Sequence, residues 1–154
     1  MNSAYRGESS RAGWTTEADL LGGQRTDIEE VESLIEKPDS MILVCSDGAG
    51  IAGSVHLEKS GDCALLGMLA VRPRMQGRGM GKRMLAEAEK AASKIWGCGK
   101  TKMTVLTYRA ELIAFYERRG YRRTGIFKPF PEDPGFGIPK VEGLRLEWLE
   151  KNLF

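Results

Sequence analysis

The residues best placed to do chemistry lie between positions 69 and 83. There an apolar run, Leu69-Ala70-Val71, gives way to Arg72-Pro73-Arg74-Met75 and then to Gln76-Gly77-Arg78-Gly79-Met80-Gly81-Lys82. A strand that runs into a glycine-rich turn and opens a helix is a place to hold an anion. The first amides of a helix have no intrahelical acceptor, and they point outward with the positive end of the helix dipole. Phosphate is the natural ligand of that geometry. Glycine lets a backbone approach closely and take dihedrals barred to other residues, and Arg78, Lys82 and Arg83 add positive charge. Two familiar phosphate motifs fail on spacing. G-x-G-x-x-G from Gly77 needs glycine where Lys82 stands, and G-x-x-x-x-G-K-[ST] ending at Gly81-Lys82 needs glycine at Gln76 and a hydroxyl at Arg83. What remains is Q-x-x-G-x-G, carried by Gln76, Gly79 and Gly81. On this evidence alone, a turn that serves only the fold stays open, as does a protein that holds some other nucleotide phosphate there.

Few other residues form a reactive set. His56 is the single histidine, and Cys45, Cys63 and Cys98 are scattered with no C-x-x-C pair, so neither a Cys/His zinc site nor a disulfide framework is expected. An odd number of dispersed cysteines suits a reducing compartment. With 23 basic and 21 acidic residues the net charge is +2, too small a surplus for a nucleic-acid binder. The polar first twenty residues contain no signal-peptide core, and no apolar stretch is long enough to span a membrane, so a cytoplasmic location is expected. At 154 residues, 42% of them apolar, the chain suits one domain spanning 1–154.

These residues must be positioned by the elements around them. Thr26-Asp27-Ile28-Glu29 reads as a capping box, followed by Ile28, Val31, Leu34 and Ile35 on one helical face and a stop at Lys37-Pro38. Met41–Cys45 reads as a buried strand, Ile51–Lys59 as a second and Cys63–Val71 as a third, joined by short turns into an antiparallel meander. Met80, Met84, Leu85, Ala88, Ala91, Ala92 and Ile95 recur at helical spacing up to Gly97. A strand at Met103–Thr107, a helix over 110–119 stopped by Gly120, a strand at Tyr121–Phe127, an irregular proline-rich loop over 128–139 and a strand at Leu144–Leu149 complete the chain. The order is that of an α/β (α+β) architecture around one mixed sheet.

The turn and one later segment together resemble the GNAT superfamily of acyl-CoA-dependent N-acyltransferases. That family carries [QR]-x-x-G-x-[GA] between a strand and a long helix, as Gln76-Gly77-Arg78-Gly79-Met80-Gly81 does here, with Pro73 at a position the family favours. A later helix ends in a pattern like F-Y-E-x-x-G-[FY], matched in full by Phe115-Tyr116-Glu117-Arg118-Arg119-Gly120-Tyr121. The resemblance covers roughly residues 14–150. It implies a twisted, mostly antiparallel sheet that splits into a V between flanking helices. It also implies acetyl-CoA as cofactor. The pyrophosphate would rest on the amides of Gly77, Arg78, Gly79, Met80, Gly81 and Lys82. The pantetheine arm would pair with the backbone of Leu69, Ala70 and Val71 like an added strand, and the thioester would lie near Tyr116. Two departures stand out. The chain begins in what resembles the middle of the family's first helix, so the usual first strand is expected to be missing, and Arg109 stands where the family often has an asparagine that contacts the pantetheine arm.

The implied reaction is acetyl transfer to a primary amine by direct attack in a ternary complex. The amine must lose a proton before it attacks, and charge developing on the carbonyl oxygen needs a donor, for which a backbone N–H freed near Val71 is the candidate. Tyr116 matches the family's general acid, one turn after Leu112. The base is unassigned, because Cys63–Gly67, where some members carry a glutamate, has no carboxylate. His56 and Glu58 share one face of their strand, but they read first as a half-buried and a solvated strand residue, and ordered water serves as base in several members. Trp14, Glu17, Asp19 and the loop from Lys128 to Pro139 flank the expected acceptor mouth, with Trp14 and Phe127 as candidate walls. The acceptor, small molecule or peptide, is not specified, and neither is an interface, although many members form homodimers. A module of the same fold that binds acyl-CoA without turnover is the alternative.

Overall fold

The computed structural model describes residues 1–5, 11, 18, 21–22, 26–131 and 137–154. Trp14, Glu17 and Asp19, expected at the acceptor mouth, lie outside them. The elements in chain order are α1 (Asn2–Tyr5), β1 (Leu21–Gly22), α2 (Ile28–Glu36), β2 (Ser40–Asp47), β3 (Gly50–Ser60), β4 (Cys63–Val71), a 3-10 turn (Pro73–Met75), α3 (Met80–Trp96), β5 (Lys100–Leu106), α4 (Ala110–Glu117), β6 (Arg122–Pro129), β7 (Ile138–Pro139) and β8 (Arg145–Asn152). The short β1 and β7 pair with each other, and the other six strands form one sheet in the order β2-β3-β4-β5-β8-β6. All neighbours in that sheet are antiparallel except β4 and β5. The meander of β2, β3 and β4 is as expected, and β2 is the edge: among the described residues no strand precedes it in this sheet.

Alternation along the strands builds the core. Val55 and Leu57 on β3, Ala64 and Leu66 on β4, Met103 and Val105 on β5 and Leu149 on β8 are buried on the face covered by α3. Helix α3 answers with Met84, Leu85, Ala88 and Ala92, spaced at three and four residues as an amphipathic helix requires. It stops at Gly97, whose left-handed φ of 65° lets its N–H reach back to the last turn. Gly53 lets α3 lie close on β3: a Cβ there would stand 2.6 Å from Met84 Sδ and 2.9 Å from the Ala70 carbonyl oxygen.

Several expectations are corrected. The cap of α2 is Asp27, which accepts from the Glu30 amide at 2.8 Å, so the cap sits one residue later than Thr26. Thr26 instead donates its hydroxyl to the Glu30 carboxylate. Ile28 and Ile35 on α2 and Ile95 on α3 are exposed, because helical periodicity marks an apolar stripe wider than the strip that touches the sheet. The strand at Met41–Cys45 is only partly buried, with Val44 exposed, since it lies at the sheet edge. The stretch 128–139 is not all loop: β6 runs on to Pro129, and Ile138–Pro139 pairs with Leu21–Gly22.

The feature that makes a site is the parting of β4 from β5. They pair only from Cys63 with Lys100 to Leu65 with Lys102. Beyond that they diverge, although β4 continues to Val71 and β5 to Leu106. The divergence coincides with a bulge in β4. Ser54 pairs with Ala70 but His56 with Gly67, so Met68 and Leu69 stand opposite Val55 alone. Met68 takes a left-handed φ of 55°, uncommon for a residue with a side chain. The bulge bends β4 away, and α4 closes the far side of the gap.

Candidate active site

Two cavities meet in the gap between β4 and β5. The first, about 340 Å³, runs from the glycine turn past Leu69–Val71 to α4. The second, about 480 Å³, opens on the α2 side of the sheet. Tyr5, Leu69, Arg109, Leu112 and Tyr116 line both and mark the junction.

The anion end of the first cavity is built by the turn before α3. Gly77 and Gly79 have φ of 79° and 76°, and Gly79 is the helix N-cap. No side chain caps the first turn and no acidic residue sits in it, so the leading amides remain for a ligand. Gly77, Gly79, Met80, Gly81 and Lys82, named from the sequence for the pyrophosphate, all line the cavity. Arg78 does not. Its guanidinium lies against Met75 Sδ at 3.8 Å. Two cations that the sequence reading does not single out are there instead, Arg118 and Arg119. Arg119 is held by a hydrogen bond to the Phe115 carbonyl oxygen (3.0 Å) and stacks 4.0 Å above the Phe115 ring. With Lys82 and Arg109 they give the wall four cations and, among the described residues, no carboxylate.

The open edge of β4 explains the rest of the motif. Arg72 N–H donates to the Ala52 carbonyl oxygen at 2.8 Å. Antiparallel pairs alternate between bonded and non-bonded, so at the next pair, Val71 with Gly53, the N–H and C=O of Val71 turn away from β3 toward the gap. Gln76 Nε2 donates to that carbonyl at 2.9 Å, which ties the motif's first residue to the strand it follows. The Leu69 carbonyl also faces the gap and accepts the Tyr5 hydroxyl at 2.6 Å. Arg109, N-cap of α4, is buried, with its guanidinium 5.8 Å from the Tyr5 ring centroid.

Tyr116 is buried at the junction, edge-on to Phe115 (5.3 Å) and Tyr121 (5.8 Å). Burial pushes its hydroxyl well above the ordinary tyrosine range, nearby Tyr5 adds to this, and Arg109 opposes it. A phenol so held stays protonated throughout the neutral range and is available as a donor.

The second cavity carries Glu30 and Leu34 from α2, His56 and Glu58 from β3, Thr104 from β5, Lys128 from the end of β6, and Phe130 and Pro131 just beyond it. Phe127, the expected wall, is exposed and lies under Arg145, while Phe130 takes its place. Among the described residues no cluster of His, Cys, Asp and Glu could hold a metal, and no helix is long and apolar enough to cross a membrane.

A sheet that splits beside a basic, glycine-built anion cradle is a frame for a long phosphorylated cofactor lying across a strand edge. Residues 38–123 match the family model described as the acetyltransferase (GNAT) domain, and the chain belongs to that family. Among curated proteins no relative matches. Solved structures with the same fold include the ribosomal-protein-S18-alanine N-acetyltransferase of Escherichia coli, with TM-score 0.67, 17% identity and coverage of 94% of this chain and 88% of that one. Nourseothricin acetyltransferase is similar at TM-score 0.65 and 23% identity, over 76% of this chain and 67% of that one. A putative streptothricin acetyltransferase from Bacillus anthracis str. Ames, solved with acetyl coenzyme A, is similar at TM-score 0.62 and 21% identity, over 79% of this chain and 66% of that one. Acetyl-CoA is the cofactor that goes with this family, and the uncapped amides, four cations and open strand edge fit a pyrophosphate with a pantetheine tail.

Proposed function

We propose that the protein transfers the acetyl group of acetyl-CoA to a primary amine bound in the second cavity. The observation that carries this reading is the junction: the anion cradle and the α2-side cavity share the lining residues Tyr5, Leu69, Arg109, Leu112 and Tyr116 at the splay of β4 and β5. Gly77, Gly79, Met80, Gly81 and Lys82 would hold the pyrophosphate, with Arg118 and Arg119 nearby for further phosphate charge. The pantetheine arm would run along Leu69–Val71, replacing the Tyr5 hydroxyl at the Leu69 carbonyl. Bound there, acetyl-CoA supplies an acyl thioester. The Val71 N–H, turned toward the gap, supports negative charge on the carbonyl oxygen. Tyr116 supplies the proton that the departing sulfur needs, and Leu112 and Phe115 keep water from the junction.

The first experiment measures thermal stability with acetyl-CoA, CoA, ATP and NAD in parallel. A ligand that binds only the native state raises the midpoint. The expected result is a rise with acetyl-CoA and CoA alone, followed by acceptor-dependent release of CoA with a panel of amines. A rise with ATP or NAD and none with acetyl-CoA would refute the reading. Binding without release by any amine class would favour an acyl-CoA sensor.

A further inference from the structure

We propose that His56 is the general base of the transfer, its Nδ1 taking a proton from the acceptor ammonium in the second cavity. This rests on the acetyl-transfer reading above and supplies the group that reading leaves unassigned. The first support is a hydrogen-bond chain that selects the tautomer. Ser40 Oγ lies 2.7 Å from the Leu34 carbonyl oxygen and 2.8 Å from His56 Nε2. A carbonyl only accepts, so the single hydroxyl proton of Ser40 goes to Leu34, and Ser40 must accept from Nε2–H. The neutral imidazole held this way carries its lone pair on Nδ1.

The second support is placement. His56 lines the second cavity together with Leu69 and Tyr116 of the junction. Its partner across β4 is Gly67, next to the Met68 bulge, with open space where a side chain would project. Thus β4 puts no side chain at that position between the imidazole and the splay.

The third support is charge. From its own strand His56 faces Glu58, from α2 it faces Glu30 and from the end of α2 Lys37, while Arg109 and Lys128 line the same cavity. Its neighbours across β2 and β4, Ile42 and Gly67, carry no charge. Burial is the largest influence and lowers the imidazole's affinity for a proton. Lys37 lowers it further, and the two carboxylates oppose. The ring is therefore neutral near pH 7, and the charge it gains faces two carboxylates. Both carboxylates are already engaged: Glu58 is paired to Lys37 at 2.7 Å, and Glu30 accepts the Thr26 hydroxyl.

In the step, the ammonium gives one proton to Nδ1 and its nitrogen bonds to the thioester carbonyl carbon. The carbon–sulfur bond breaks with its electron pair on sulfur. Tyr116 protonates the sulfur and is repaid by the second nitrogen proton, and His56 releases its proton to solvent. The products are the N-acetyl amine, the CoA thiol and one proton.

His56 is the sole histidine, so ¹⁵N-histidine labelling of the full chain gives a single imidazole spin system. At pH 7.5 (chosen as about one unit above the ordinary histidine value) the expected spectrum is the Nε2–H tautomer, and Ser40→Ala, which removes the positioning hydroxyl, should mix the tautomers. A dominant Nδ1–H tautomer overturns the assignment even if no acceptor is turned over. In parallel, CoA release is followed with spermidine, an N-terminal alanyl peptide and kanamycin as probe amines. With whichever is turned over, His56→Gln should lower kcat/KM about 100-fold near neutrality and abolish the acid limb of the pH profile. Acetyl-CoA affinity should stay within about twofold, since no cofactor contact is removed. A wild-type rate and acid limb in His56→Gln overturns the assignment and leaves acetyl transfer standing. Failure of acetyl-CoA to raise the thermal midpoint overturns the parent reading and this one with it.

Discussion

Tyr116→Phe isolates the proton donor from the scaffold. The ring at 116 packs edge-on against Phe115 and Tyr121 in the core around α4. Phenylalanine keeps those contacts and its volume. What is lost is one hydroxyl, worth about 0.5–1.5 kcal/mol when it is bonded, and partly offset because burying it also costs desolvation. A loss of that size moves the midpoint of a domain this large by only a few degrees, about 2–4 °C per kcal/mol. Catalysis should respond far more. General acids contribute about 10²–10⁴-fold. A thiolate leaves more readily than an alkoxide or amide, so the lower end applies: kcat about 100-fold down, or about 2.7 kcal/mol of barrier at 1.36 kcal/mol per decade. The assay is steady-state CoA release, quantified by chromatography because the partly exposed Cys45 and Cys63 would consume a thiol reagent. Acetyl-CoA affinity, from the ligand-induced thermal shift, should stay within about threefold, because the lost interaction belongs to the transition state. The pH dependence offers a second check. Since burial raises the Tyr116 pKa, the hydroxyl stays protonated at and above neutrality and should produce no basic limb below the ordinary tyrosine pKa of about 10. A variant with kcat within threefold of wild type, at full acetyl-CoA affinity, would refute the acid role.

Gly53→Ala should destabilise the fold by about 1–3 kcal/mol, because its Cβ would meet the Ala70 carbonyl oxygen as well as the movable Met84 sulfur; an unchanged urea midpoint would refute the packing argument. Glu147 is buried beside Arg123 and accepts the Gly125 amide, and these bonds, Arg123 first, hold its carboxyl below the ordinary value of 4.5. Its contribution to stability should therefore be complete above about pH 5 and be lost as the pH falls through the depressed value. Glu147→Gln should flatten that acid limb in urea titrations, and an unaltered limb would count against the pair. Tyr5→Phe should tighten acetyl-CoA binding about two- to tenfold by freeing the Leu69 carbonyl from a bond of roughly 0.5–1.5 kcal/mol. Calorimetry showing equal affinity would mean that this carbonyl takes no part in cofactor binding.

The sequence by itself determined whatever depends on short-range spacing. Cys63–Val71 has the strand bounds expected, because apolar residues there are flanked by the turn at Gly61 and the proline after Arg72. The turn at Gln76–Gly81, the long helix behind it and the second motif ending at Gly120-Tyr121 were equally legible, since their glycines answer to local dihedral needs. The helix cap fell one residue from its expected place because Thr26 and Asp27 are both good caps, and only the packed chain chose between them. Tertiary structure alone decided the site. Nothing local in the sequence marks Arg118 and Arg119 as cavity cations; they face the anion cradle only once α4 is set against the start of α3. Insertion of β8 between β5 and β6 leaves no local trace, since strand order is set by pairing across long stretches of chain. His56 likewise looked like an ordinary strand residue. Its tautomer and its opening onto the junction come from Ser40 and Leu34 on one side and the bare Gly67 on the other. Spacing prescribes which backbone turns and faces are available, but which side chains share a cavity follows from long-range packing, and that is written only in three dimensions.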